Sequence, residues 1–416
     1  LPFVMLTTTL MPLVFLSSWN LQLRVKEYLV TLLILETFMI GVFCALDIVL
    51  FYLFVDSCLI PIFLLIGIWG VRNRVYVAFK FFLLWFVSSM LMVFAIIYIW
   101  EFAGTSDLVN LTKLKFPSGS KNIFGVSVQG GVQTILWLAF FFSFAVKIAI
   151  WPLNTWLLDT HSQAPTALSV VLSSILIKIG GYGFLRYSLP MFPDASVFMQ
   201  DFVFIFSIIG IIYTSLVAII EKDAKKIIAY SSVAQMGFVT IGIFSLNKQG
   251  IDGALFQMLS HGFISAALFL CMGVIFDRTN SHNLDDNGGL ALRMPFFAGY
   301  FLIFTMANIG MPGTIGFIGE FLTFVGIFKI NILITAVAAI GVILSAVYSL
   351  RLYSKIIFGE LTNLKLKDIL DISLREKLVF APLLIIVIFF GLYPGPILDL
   401  IKVSVNNLIF NLSLKP

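Results

Sequence analysis

Apolar residues in this chain run in long blocks instead of alternating with polar ones. The blocks are separated by short clusters of charged residues, Asn, Gly and Pro. A helix needs about 20 consecutive apolar residues to cross a bilayer core. By that measure the pattern predicts twelve spans, near 2–17, 29–45, 48–68, 81–100, 131–157, 165–185, 202–220, 227–246, 253–276, 295–328, 331–350 and 378–400. Two of these blocks, 131–157 and 295–328, are longer than one span needs, and each holds an internal proline, Pro152 and Pro312. Proline removes a backbone donor and clashes with the preceding turn. At membrane depth such breaks are tolerated where the freed backbone faces protein or a hydrated cavity. Both blocks are therefore expected to be discontinuous helices, a feature that marks ion sites in transporters. The expected fold is all-α: a polytopic membrane protein of about twelve transmembrane helices.

Composition supports the same class. Of 416 residues, 60% are hydrophobic and 11% charged, against about 25% charged in a soluble domain. The net charge of +5 forms no basic block, which argues against nucleic-acid binding. Cys44, Cys58 and Cys271 lie in apolar stretches with no CxxC pair, so neither a disulfide framework nor a four-cysteine zinc site is expected. No charged segment precedes a small-residue cleavage site, so no signal peptide is expected. With twelve spans both termini share a side. That side carries eight Lys and Arg, the opposite side sixteen, and Lys147 and Lys178 fall inside spans. The positive-inside rule then puts the richer side toward the matrix or cytoplasm. The longest polar stretches are 101–122 and 359–377. In the second, Lys365, Lys367, Asp368, Asp371, Arg375, Glu376 and Lys377 fit a helix on the membrane surface or a solvated loop. One membrane domain, 1–416, is expected. It divides into repeats at 29–188 and 201–357, with a surface segment and the last transmembrane helix in 358–416.

Charge inside a span costs roughly 2.5–3.5 kcal/mol on the insertion scale. Asp56, Lys147, Lys178 and Glu320 all lie there. Asp56 precedes Pro61 by five residues, and Lys147 precedes Pro152 by five. Two readings are open: structural ion pairs, or a proton relay in which a buried lysine works against an acid partner. His261 shares the membrane interior and belongs to a residue type suited to proton exchange near neutrality. His161 falls in a turn between spans, and His282 falls in a charged, solvated loop. The three histidines are too scattered for a metal centre. Trp69, Trp100, Tyr187 and Tyr353 read as interface anchors. No phosphate loop, cysteine cluster or catalytic triad appears, so no redox cofactor is expected in this chain.

The segments FYLFVDSCLIPIFLLIGIWGVRNR, WPLNTWLLDTHSQAPTALSVVLSSILIKIGGYGFLR, DAKKIIAYSSVAQMGF, FQMLSHGFISAALFLCMGVIFDR and NIGMPGTIGFIGEF resemble the chain 4 family of the proton-pumping NADH–ubiquinone oxidoreductase, respiratory complex I. The resemblance implies an antiporter-like fold of fourteen spans with two inverted five-helix repeats, each with a broken helix. The family's first two spans have no counterpart in this sequence. The family's acid falls on Asp56, where glutamate is usual, and its broken-helix lysine on Lys147. Its central lysine falls on Lys178 and its loop lysine on Lys225. The family's first histidine is replaced by Gln235, which cannot titrate and would need water or a neighbour to bridge it. The second falls on His261, and the acid after GMPGT on Glu320. Leu168 stands where the family commonly has glycine. The implied function is proton translocation coupled to electron transfer from NADH to ubiquinone. NADH, FMN, iron–sulfur clusters and ubiquinone are expected on other subunits. The expected partners are the antiporter-like chains 2 and 5, accessory subunits and membrane lipids. The expected location is the mitochondrial inner membrane, with a bacterial plasma membrane as the alternative. A free-standing Mrp-type cation/proton antiporter subunit and a non-pumping scaffold subunit are the rival readings.

Overall fold

Backbone that leaves water must satisfy its own N–H and C=O groups, and the apolar blocks do so as helices. The computed structural model describes all residues except 118, 120, 124, 125, 129, 130, 360–368 and 414–416. The chain opens with α1 (Pro2–Ser17), α2 (Val25–Cys44), the kinked pair α3 (Ile48–Ser57) and α4 (Leu59–Trp69), and α5 (Arg74–Ala103). A short α6 (Leu108–Leu111) precedes a two-stranded antiparallel hairpin, β1 (Lys121–Ile123) and β2 (Val126–Val128). This hairpin begins at the end of the polar stretch 101–122, where the apolar pattern predicts no strand. Next come α7 (Gly131–Ile148) and α8 (Thr155–Gln163). One bent span then comprises α9 (Thr166–Val171), α10 (Lys178–Gly183) and α11 (Leu189–Met191), joined by π-helical turns at Leu172–Leu176 and Phe184–Ser188. After α12 (Pro193–Phe198) follow α13 (Gln200–Ile220), α14 (Ala224–Phe244), α15 (Lys248–Thr279), α16 (Pro295–Ile309), α17 (Ile315–Phe328), α18 (Ile332–Ile357), α19 (Leu374–Leu392) and α20 (Gly395–Ser413).

Among the described residues nine continuous spans are long and apolar enough to cross a membrane, ten if the α19/α20 pair counts as one. The short α1 and the broken pair α16/α17 account for the remaining two of the expected twelve. Both predicted interruptions are present. Helix α7 stops before Pro152 and α16 stops before Pro312. Other boundaries need correction. The last span begins at Leu374 and ends at Leu392, and Pro394 and Gly395 then turn the chain by 69° into α20. Arg375, Glu376 and Lys377 therefore belong to the first turn of α19, not to a separate surface helix. Lys365, Lys367 and Asp368 lie outside the described residues.

One backbone arrangement occurs twice. Asp47 caps α3 by accepting from the Val49 and Leu50 amides, and it forms a bridge with Asp107 beyond the end of α5. Asp223 caps α14 through the Lys225 and Lys226 amides and bridges Asn283 beyond the end of α15. In each case the residue before the second span of a set of five pairs with the residue after the third. Counted along the spans, the two bridges fall at opposite ends of the bundle. The core between them is dense: α14 and α15 are each 94% buried over their most apolar stretch, against 28% for the peripheral α18.

The end of α15 is tied down by charge. Arg278 donates two hydrogen bonds to Glu376, at 2.8 and 2.9 Å. It also reaches the carbonyls of Leu370 and Asp371. The Asp371 carboxylate in turn accepts from the Phe296 and Phe297 amides at the start of α16.

This topology places Asn73 and Asn110 on opposite faces. Single cysteines at these positions, in a Cys44→Ser background, should be labelled from opposite sides of sealed vesicles by a membrane-impermeant thiol reagent. Labelling of both from one side would overturn the span order.

Candidate functional site

Lys147 occupies the last turn of α7. The helix cannot continue because Ala149 takes a left-handed conformation (φ 61°) and Pro152 follows. The Val146 carbonyl, freed by the break, accepts from Trp156 Nε1 at 2.9 Å. The Lys147 ammonium is fully buried. It donates to Ser143 Oγ at 2.8 Å, Ser89 Oγ at 3.1 Å and the Ser143 carbonyl at 3.3 Å. It also lies 5.6 Å from the centre of the Trp85 ring. Three neutral acceptors use its three donors. Asp56 is half-buried on α3 and interacts with Lys147 electrostatically. It makes no direct ion pair with it, however, and Asp56 Oδ1 has no hydrogen-bond partner. The two charges thus do not meet directly.

Lys178 begins α10, immediately after the first π-helical turn. Such turns shift the hydrogen-bond ladder by one residue and occur often at functional sites. Here the Ser173 carbonyl accepts from Lys178 Nζ. The second contact of the ammonium is His261 Nδ1 on α15, at 2.7 Å. Both residues are buried, and Lys178 forms no ion pair with an acid among the described residues. A hydrogen bond between these nitrogens requires one to carry the proton and the other to present a lone pair. The contact is a hydrogen bond between two basic nitrogens, one donating and one accepting.

Glu320 lies on α17 next to the break after α16. Gly310, the residue that ends α16, has φ 80°, and a Cβ there would lie 2.4 Å from Glu320 Oε2. Gln235 on α14 donates to Glu320 Oε1 at 2.7 Å and to the Asn308 carbonyl at 3.5 Å. Gln257 on α15 donates to Gln235 Oε1 at 2.7 Å, and the Ser260 hydroxyl lies 3.1 Å from Gln257 Oε1. Gln235 thus needs no bridging water on this side. Asn308 extends the cluster to Ser231 and Ser349, both at 3.0 Å.

The structure therefore assembles two separate pairings from the predicted residues, Lys178 with His261 and Gln235 with Glu320, and leaves Lys147 among hydroxyls. Lys225 is buried in the first turn of α14, not in a loop, and donates to the Ala164 carbonyl at 2.9 Å. It touches neither pairing. His161 is not in an open turn. It is fully buried in the last turn of α8, stacked on Phe269 at 4.4 Å, with both ring nitrogens unpartnered. His282 is half-buried and stacked on Phe276; burial first, and Lys225 second, push its pKa down to about 3. Of the four aromatic anchors only Trp100 is exposed, and Tyr187 is fully buried. Gln257, Ser89, Ser143 and Trp85 were missed by the sequence reading. Their only signal was a polar or bulky residue within an apolar block.

The family model for the NADH:quinone oxidoreductase/Mrp antiporter transmembrane region matches residues 45–346. The chain belongs to this family. It is 57% identical over 410 residues to NADH-quinone oxidoreductase subunit M of Rhodobacter capsulatus, covering 98% of this chain and 80% of that one. It is 46% identical to NADH-ubiquinone oxidoreductase chain 4 of Marchantia polymorpha, with the same coverage of both. A chain of respiratory complex I from Thermus thermophilus superposes with a TM-score of 0.88 at 27% identity, over 99% of this chain and 83% of that chain. Family membership, multi-pass membrane character and the all-α antiporter-like fold are thereby shown.

Gly310→Ala should be destabilising by about 1–3 kcal/mol, because it forces a strained φ and drives a methyl group into the Glu320 carboxylate. The check is the thermal inactivation midpoint of the assembled enzyme, which should fall.

Proposed function

We propose that this chain is a proton-translocating membrane-arm subunit of NADH:quinone oxidoreductase. The observation that carries the reading is the Lys178–His261 contact: two buried basic groups at hydrogen-bond distance, with no acid paired to Lys178 among the described residues. A proton held there without a paired counter-ion responds strongly to any charge that moves nearby, because the interior screens weakly. Asp56 sets the proton affinity of Lys147. Lys178 and His261 carry the proton along the central axis, and Glu320 connects to the exit or to the next subunit. Lys225 and Gln235 hold supporting positions. The duplicated bridges Asp47–Asp107 and Asp223–Asn283 support two inverted repeats, 29–188 and 201–357.

In this reading NADH, FMN, the iron–sulfur clusters and ubiquinone belong to other subunits, and the chain takes part in the enzyme without a redox centre of its own. Its neighbours are the other antiporter-like chains, 2 and 5, with accessory subunits and lipids around them. The membrane is the mitochondrial inner membrane or a bacterial plasma membrane. The high identity to a Rhodobacter chain supports the second as much as the Marchantia relative supports the first. The 57% identity to an NADH-quinone oxidoreductase subunit M favours this role over a free-standing Mrp-type antiporter. The unpaired Asp56 Oδ1 is what keeps a non-pumping scaffold as the reading to test against.

Lys147→Ala in the assembled complex should lower proton pumping in sealed vesicles by roughly a hundredfold, the low end of what a proton-transfer group contributes. NADH oxidation by an artificial acceptor should remain intact. Asp56→Glu should be tolerated, whereas Asp56→Asn should resemble the lysine variant. Normal pumping by Lys147→Ala would put the scaffold reading ahead.

A further inference from the structure

Two amides between α15, α14 and α17 donate in one direction, Gln257 Nε2 to Gln235 Oε1 and Gln235 Nε2 to Glu320 Oε1. The Ser260 hydroxyl lies 3.1 Å from both Gln257 Oε1 and the Gln257 carbonyl, and its single proton serves either. All four residues are buried, with at most 5% exposure. An amide has a donor end and an acceptor end, so anchoring one end decides what the other presents. Gln235 could turn either end toward Glu320. While Gln257 keeps its N–H on that oxygen, the reversed orientation of Gln235 would face two N–H groups toward each other, so Gln235 can turn only if Gln257 turns with it.

The position of Gln257 is itself over-determined. Helix α17 passes so close to it that a Cβ on Gly319 would lie 2.4 Å from Gln257 Oε1 and 2.7 Å from its Cα. Gln257 also sits one helical turn before His261 on α15, on the side of the bundle where Lys178 is bound.

We infer that Gln257 is a positioning residue for proton loading at Glu320. It holds the Gln235 amide with its donor end on the carboxylate and so keeps Glu320 as an acceptor. Neither amide titrates, so the ladder orients Glu320 without passing a proton to it from His261. The inference rests on the role proposed above for Glu320, and it names a residue that this role alone does not require.

The test uses the assembled complex in sealed vesicles, with pumping and infrared difference spectra as readouts. The Glu320 carboxyl band is identified by its loss in Glu320→Gln. Gln257→Met keeps the side-chain volume and removes both polar ends. It should shift that band and lower pumping by roughly three- to tenfold, the effect of one net hydrogen bond. Gln235→Met should do the same, and the double variant should be no worse than either single one, because Gln257 acts only through Gln235. Should Gln257→Met fail to assemble, Ser260→Ala, which removes the hydroxyl beside Gln257 Oε1, should shift the same band by a smaller amount. An unshifted band, or additive losses in the double variant, would overturn the inference. If Glu320→Gln itself pumps normally, the role of Glu320 falls instead. If Glu320→Gln is impaired while Gln257→Met pumps normally, only the positioning role falls.

Discussion

An ammonium group cannot be moved into an apolar helical bundle unless the protein replaces its water shell. That requirement shapes the middle of this molecule. A regular helix offers only the second lone pair of each carbonyl, because the first is already bonded to the amide four residues on. Lys147 is therefore placed at a helix end, where serine hydroxyls, a serine carbonyl and the face of Trp85 surround it. Lys178 is placed after a π-helical turn, where the Ser173 carbonyl is available. The break and the bulge are where this fold seats Lys147 and Lys178, and the straight helices pack around them.

The sequence made the architecture legible for a physical reason. Twenty-residue apolar blocks have one common use, and Pro152 and Pro312 fall in blocks too long for one span, where a break is expected, whereas Pro12 and Pro382 sit inside continuous helices. The charged residues were equally visible, since any charge in such a block stands out. Other features left little trace. The π-helical turns come from an extra residue per turn, which no residue type announces. Gln257 is polar but uncharged, and its cost in an apolar block is small enough to pass unnoticed until its partners are seen. His161 was misplaced because its neighbours Asp159, Thr160, Ser162 and Gln163 read as a turn, whereas the structure continues α8 through them. The bend into α20 followed from Pro394 and Gly395, but the apolar residues beyond it hid the end of the span.

The titratable groups fall into units that differ in kind. Lys178 and His261 are hydrogen-bonded directly. Glu320 is held by amides that cannot carry one. Lys147 is solvated by hydroxyls, with Asp56 acting at a distance. Under the proposed function, communication among these units would be electrostatic before it is chemical. In a weakly screening interior, a change of charge at one unit is felt at the next without an unbroken chain of exchangeable protons.

The Arg278–Glu376 clamp adds a mechanical side to this picture. The arginine grips the carbonyls of residues 370 and 371, and the side chain of Asp371 grips the first amides of α16. Three helix ends are thus fastened at one rigid joint. The far end of α16 is Gly310, the seat of the Glu320 carboxylate. A tilt of α15 at the joint would work as a lever, displacing the whole length of α16 and moving the floor beneath Glu320 at the other end.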